Sequence, residues 1–105
     1  MEIMNHSKNN FSYEVLNQLG DSSDKIYNFF FKENIKGKRN DNFSCPLAVY
    51  LKTTYNFQYV SVNNKSVHVS DSLNEPWWGS TVRLPVALKQ FISLFDEGNF
   101  PAIEQ

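Results

Sequence analysis

The stretch Phe57–Asp71, "FQYVSVNNKSVHVSD", decides how the rest of the chain is read. Apolar and polar residues alternate on both sides of Asn63-Asn64, the pattern of two half-buried antiparallel strands joined by a tight turn. The alternation puts Val60, Val62, Val67 and Val69 on a buried face and Tyr59, Ser61, Ser66, His68 and Ser70 on the opposite one. Asparagine tolerates the positive φ that tight hairpin turns require, so the central dipeptide is read as the turn.

Downstream, "STVRLP" predicts a third strand with Val82 and Leu84 inward and Arg83 outward. The intervening "DSLNEPWWGS" reads as a loop that carries both tryptophans. A final helix opens near Pro85 and repeats Leu88, Phe91, Ile92 and Phe95 at i, i+3, i+4, i+7 spacing. Gly98 is its stop signal, and Phe100-Pro101 is expected to fold back onto its end.

Upstream, "CPLAVYL" predicts a helix capped at Ser44 or Cys45, with Pro46 in the first turn and Leu47, Tyr50 and Leu51 on one face. The preceding "KGKRNDN" holds Gly37, basic residues and nothing hydrophobic, and is read as a loop or linker over 37–42. Before it, a helix starts at Ser22 or Ser23, gains from Asp24 near its positive end, and runs to about Asn34. Its apolar residues Ile26, Tyr27, Phe29, Phe30, Phe31 and Ile35 cover more of the circumference than one stripe needs. A short first helix is capped by Ser12, carries Val15, Leu16 and Leu19, and ends at Gly20. Residues 1–11 are polar and Asn-rich, and are expected to form a flexible N-terminal segment.

These elements predict one α+β domain over 12–105. A helical part spans 12–36 and an α-β-β-β-α part spans 43–105. The expected architecture is a small antiparallel three-stranded sheet, hairpin plus third strand, with helices packed on one face. The length of 105 residues suits a single core, and an aromatic content of 15% makes that core rich in Phe and Tyr. A net charge of −1 disfavours a general polyanion binder. No apolar run reaches bilayer or signal-peptide length, so a cytoplasmic protein without a membrane partner is expected. One cysteine and two histidines supply neither an internal disulfide nor a structural zinc site, and no metal or cofactor is expected.

Four groups of residues are candidates for function. Cys45 sits where a helix dipole would favour the thiolate, yet the two histidines are at His6 and on the outward face at His68, so a packing role is favoured over a thiol enzyme. Tyr59, His68 and Arg83 form an outward row able to stack on a base and contact a phosphate, but an ordinary solvated sheet face explains them as well. Trp77 and Trp78 are adjacent, so at most one readily enters the core; either the loop presents a tryptophan to a partner, or it folds back and covers the sheet edge. Phe29, Phe30 and Phe31 are read either as sandwiched inside the domain or as a partner surface, which would make a homodimer.

No phosphate-cradling or metal-binding motif occurs in the chain. The combination of "CPLAVYL" with "LPVALKQFISLFDEGNFP" resembles small bacterial or bacteriophage proteins and implies no activity. The expected function is therefore a non-enzymatic binding module that engages another protein through Trp77 and Trp78 or the Phe29–Phe31 helix. The alternative is binding of single-stranded nucleic acid or a nucleotide on the sheet face.

Overall fold

The computed structural model describes residues 11–75 and 77–105. Residues 1–10 of the segment read as flexible, including His6, lie outside the described residues. Among the described residues, four helices, α1 (Tyr13–Asn17), α2 (Ser23–Lys32), α3 (Pro46–Thr54) and α4 (Val86–Asp96), accompany three strands, β1 (Tyr59–Val62), β2 (Ser66–Ser70) and β3 (Ser80–Arg83). A 3-10 turn at Pro101–Ile103 follows α4. The strands form one antiparallel sheet in the order β1-β2-β3, with helices packed against it, so the architecture is α+β.

The register follows the valines. Val60 lies opposite Val69, and Val62 opposite Val67, which in turn lies opposite Val82. Val60, Val62, Val67 and Val69 are buried, as the alternation requires, because a slip of one residue would send all four to solvent. The turn is made differently from the expectation. Neither Asn63 nor Asn64 adopts a positive φ. Instead the Asn63 side-chain oxygen accepts from the amides of Lys65 and Ser66, both at 2.7 Å, imitating a backbone turn.

Among the described residues, left-handed backbone occurs at three other asparagines, Asn34, Asn40 and Asn56, with φ of 60°, 57° and 63°. Asn34 closes α2: the Ile35 amide donates to Phe30 and the Asn34 amide to Phe31, the paired bonds that satisfy a helix's last carbonyls. Gly98 ends α4 in the same way, with Asn99 donating to Leu94 and Gly98 to Phe95. At the other end of α2, the Ser22 hydroxyl accepts from the Lys25 amide. Asp24 and Lys32 sit at the ends whose partial charge each opposes.

The aromatic residues form the spine of the core. Ring contacts run without a break from Phe11 through Tyr55, Tyr50, Phe30, Phe91 and Phe100 to Tyr27 and Phe31. The chain of rings ties α2 to α3 and α4, and the buried residues of these helices join those of the sheet in one cluster. Phe100 stacks on Phe91 at 5.2 Å, so the chain does fold back after Gly98.

The segment 37–42 is not a free linker. Gly37 donates to Ile103 and accepts from Gln105, each at 2.9 Å, forming an isolated parallel bridge with the last residues. Lys38 donates to Ser44, Asn40 donates to the Asp96 carboxylate, and Asn42 accepts from Val62 at the rim of β1. With nothing hydrophobic to bury, the segment is held by backbone hydrogen bonds. A Cβ at Gly37 would overlap the backbone of Ser44, Cys45 and Pro46, so only glycine fits that approach.

Candidate functional site

Six large hydrophobic side chains are exposed among the described residues: Phe31, Phe43, Leu73, Trp77, Trp78 and Val86. Three of them, Leu73, Trp77 and Trp78, stand on the loop between β2 and β3, at 65%, 69% and 65% exposure. Neither tryptophan folds back into the core. Of the two arrangements open to this loop, it adopts the one that presents both rings to solvent.

The loop is nonetheless fastened to the sheet. Ser70, placed outward by simple alternation, is 2% exposed, which corrects the sequence expectation. Its hydroxyl accepts from the Ser72 amide at 3.2 Å, and its proton faces the carbonyls of Glu75 at 3.3 Å and Ser72 at 3.4 Å. The Ser72 hydroxyl accepts from the Glu75 amide, and the Glu75 carbonyl accepts from the Trp78 amide at 3.0 Å. Next comes Gly79, where a Cβ would overlap the Val69 carbonyl oxygen, so the chain crosses β2 more closely than any other residue allows. A strand-end serine and a glycine thus hold the tryptophan-bearing loop at both ends.

Beside the loop lies a cleft of about 370 Å³ whose apolar lining is Phe11, Phe57, Val69 and Trp78. Phe11, at the end of the segment read as unstructured, packs edge-on against Tyr55 and Phe57 with centroids 5.8 and 5.5 Å apart. Asp71 and Ser72 supply polar groups to the same cleft. Sequence reasoning singled out Trp78 but neither Phe11 nor Asp71. Only the return of β2 beside the start of α1 brings these residues together.

The other candidates are distributed differently. Phe30 is fully buried against Tyr50 and Phe91 and cannot meet a partner, which corrects its place in the expected surface. Phe29 is half-buried on Tyr50, and Phe31 alone of the three is exposed, stacked on Tyr27. On the outward sheet face, Tyr59 lies edge-on to His68 at 6.0 Å and to Phe43 at 5.8 Å, and His68 Nδ1 is 2.8 Å from the Thr81 hydroxyl. Arg83 is exposed, in keeping with its expected outward placement, and it also reaches α1. Its guanidinium lies over the Tyr13 ring, 4.8 Å from the centroid, where a cation is attracted to the ring's negative face.

Cys45 caps α3 and is buried. Burial pushes its thiol up to about 11; the amides of Ala48 and Leu47 pull the other way, and the carboxylates of Asp96 and Asp41 add to the rise. Desolvation therefore outweighs the helix dipole, and at neutral pH the group is a thiol. It borders a second cavity of about 300 Å³, lined also by Asp41 and Asp96. Each of these carboxylates accepts a backbone hydrogen bond, from Phe43 and Asn40 respectively.

No helix among the described residues is long and apolar enough to cross a membrane. The chain matches no protein-family model, no curated protein and no solved structure.

Proposed function

We propose that the protein is a non-enzymatic binding module that engages a partner protein through the Trp77-Trp78 loop. One observation carries this reading: Leu73, Trp77 and Trp78 are exposed together on a loop that hydrogen bonds and a close glycine contact hold in place. Exposing tryptophan to water is unfavourable unless another surface covers it, and tryptophan is enriched at the energetic centres of interfaces. A loop already fastened also loses little conformational freedom on binding.

The outward sheet face supports the alternative of nucleic-acid binding less well, because Arg83, its phosphate-contacting candidate, is stacked on Tyr13. The buried thiol gives no support to an enzyme built on Cys45. Phe31 is a smaller exposed surface, isolated from the tryptophans in sequence.

The test is a selection of random displayed peptides on the full chain, with counter-selection on the Trp77→Ala/Trp78→Ala double variant. Recovery of peptides that bind the parent and lose the variant is expected. Binders equally tight on both proteins, or none above background, would remove the loop as the site.

A further inference from the structure

Building on the protein-binding role of the Trp77-Trp78 loop, we infer that an extended segment of the partner adds to the sheet as a fourth strand along the outer edge of β3. The ladder determines which groups that edge offers. The Leu84 amide donates to the Lys65 carbonyl at 2.9 Å, one step beyond the β2–β3 register, so Leu84, Val82 and Ser80 turn their peptide groups toward β2. Thr81 and Arg83 turn theirs the other way, and among the described residues no hydrogen bond holds these N–H and C=O groups. Tyr13 engages the Arg83 guanidinium, not its peptide groups.

The two edges of the sheet differ. At the β1 edge the Val62 amide already donates to Asn42, and α3 packs on the strand. At the β3 edge Ser80, Thr81 and Arg83 are exposed and Val82 is half-buried. The cross-strand row Val62, Val67, Val82 runs into this edge with its first two members buried and its last only partly so. An apolar residue placed beside Val82 would complete the row, and the strand leads back through Gly79 into the exposed tryptophans. Main-chain bonds with alternate side chains in contact are the means by which a sheet edge takes up an extended peptide.

The size and charge of the edge select a partner segment over a second copy of this chain. β3 is four residues long, roughly 13 Å, and a sheet about 10 Å deep then presents about 130 Å² there, far below the ~800 Å² that each side of a stable interface covers. Two copies joined at this edge would also crowd their Arg83 charges together. A single extended segment brings no second Arg83, and it can continue from the strand onto the loop.

The test takes a peptide that binds the full chain in the displayed-peptide selection and methylates its backbone nitrogens one at a time. A segment added to β3 turns alternate peptide groups toward Thr81 and Arg83. Every second methyl group is therefore expected to weaken binding about tenfold or more, and those between to have little effect. In the protein, saturating peptide should slow hydrogen exchange of the Thr81 and Arg83 amides about tenfold and leave Val82 and Leu84, already turned to β2, unchanged. Proline is tolerated at an edge position whose N–H is unpaired, so Thr81→Pro should keep a native amide spectrum and bind the peptide about tenfold more weakly. Thr81→Val loses the same hydroxyl contact to His68 but keeps the amide, and should bind as the parent does.

Methyl groups tolerated throughout the peptide, or exchange at Thr81 and Arg83 unaffected by it, would overturn the inference, and the methyl scan decides even where Thr81→Pro does not fold. Protection of these two amides that grows with protein concentration in the absence of peptide would make a second copy of this chain the occupant and also overturn it. Peptides that depend on the tryptophans without the alternation would keep the loop as an interface and discard the added strand. The absence of any binder would remove both readings.

Discussion

Replacing Trp78 with alanine should leave the fold almost as stable as before, and the structure sets the size of the effect. The residue is 65% exposed, so 100 minus 65, or 35%, of its surface is covered. A tryptophan can bury up to roughly 250 Å², so about 90 Å² is removed from water, and at roughly 25 cal/mol per Å² that contributes at most about 2 kcal/mol. Part of that cover comes from chain neighbours that shield the ring in the unfolded state too, so a loss near 1 kcal/mol is expected. Phe30 gives the contrast. It is fully buried between α2, α3 and α4, and its truncation should cost about 3–5 kcal/mol, a large share of the stability of so small a domain.

The assay is urea unfolding followed by far-ultraviolet circular dichroism, which does not depend on the indole that the substitution removes. With a slope of about 1–1.5 kcal/mol per molar, the midpoint should fall by no more than about 1 M for Trp78→Ala. For Phe30→Ala it should fall by more than about 2 M, if the variant folds at all. Trp77, at 69% exposure, should behave as Trp78 does. A drop for either tryptophan comparable to that for Phe30 would show the ring to be part of the core, and the proposed binding surface would go with it.

Other consequences are as direct. Ser70→Ala removes the nearly buried hydroxyl that holds Ser72 and Glu75, leaving the part-buried Ser72 amide without its acceptor; a loss of about 1 kcal/mol is expected, with faster hydrogen exchange at Ser72 and Trp78. Gly37→Ala should cost more than that, because backbone at Ser44–Pro46 must move, and thermal unfolding of the variant measures it. The Cys45 thiol titrates near 9.0 when unfolded and about 11 when folded. Its contribution is therefore complete below pH 9 and is lost as pH rises to about 11, a fall of about 2–3 kcal/mol that Cys45→Ala should flatten. Tyr50 and Tyr55, also raised by burial, add to the alkaline loss, so a slope remains in that variant. Native Cys45 should react with iodoacetamide far more slowly at pH 7.5 than the urea-unfolded chain does.

Much of the fold was legible because it rests on periodicity. Alternating valines fix β1 and β2, the i, i+3, i+4, i+7 run of Leu88 to Phe95 fixes α4, and Pro46 and Gly98 mark helix ends. The illegible parts rest on contacts between residues distant in sequence. Nothing in "KGKRNDN" shows that Gly37 will pair with the chain's last residues, since that bond uses only backbone groups. Nor does composition separate Phe30 from Phe31, because adjacent helical residues point about 100° apart and the neighbouring elements decide which is covered. The asparagines were assigned the correct property at the wrong place. Three of them take left-handed backbone, but those at the hairpin use a side-chain hydrogen bond instead.

The candidate site was half legible for a related reason. Adjacent tryptophans signal a surface, yet the sequence does not say whether the loop collapses or stands. Two small residues decide it. Ser70 continues the strand alternation as a polar residue that ought to face water, but the sheet ends there, and its hydroxyl turns to the backbone of the following loop. Gly79 brings the chain back against Val69 at the start of β3. The loop is thereby braced from β2 at both ends, with its tryptophans outside and the amides of Ser72, Glu75 and Trp78 bonded within. If the loop is the binding surface proposed above, its attachment to the valine-cored sheet keeps the ordering cost of meeting a partner low.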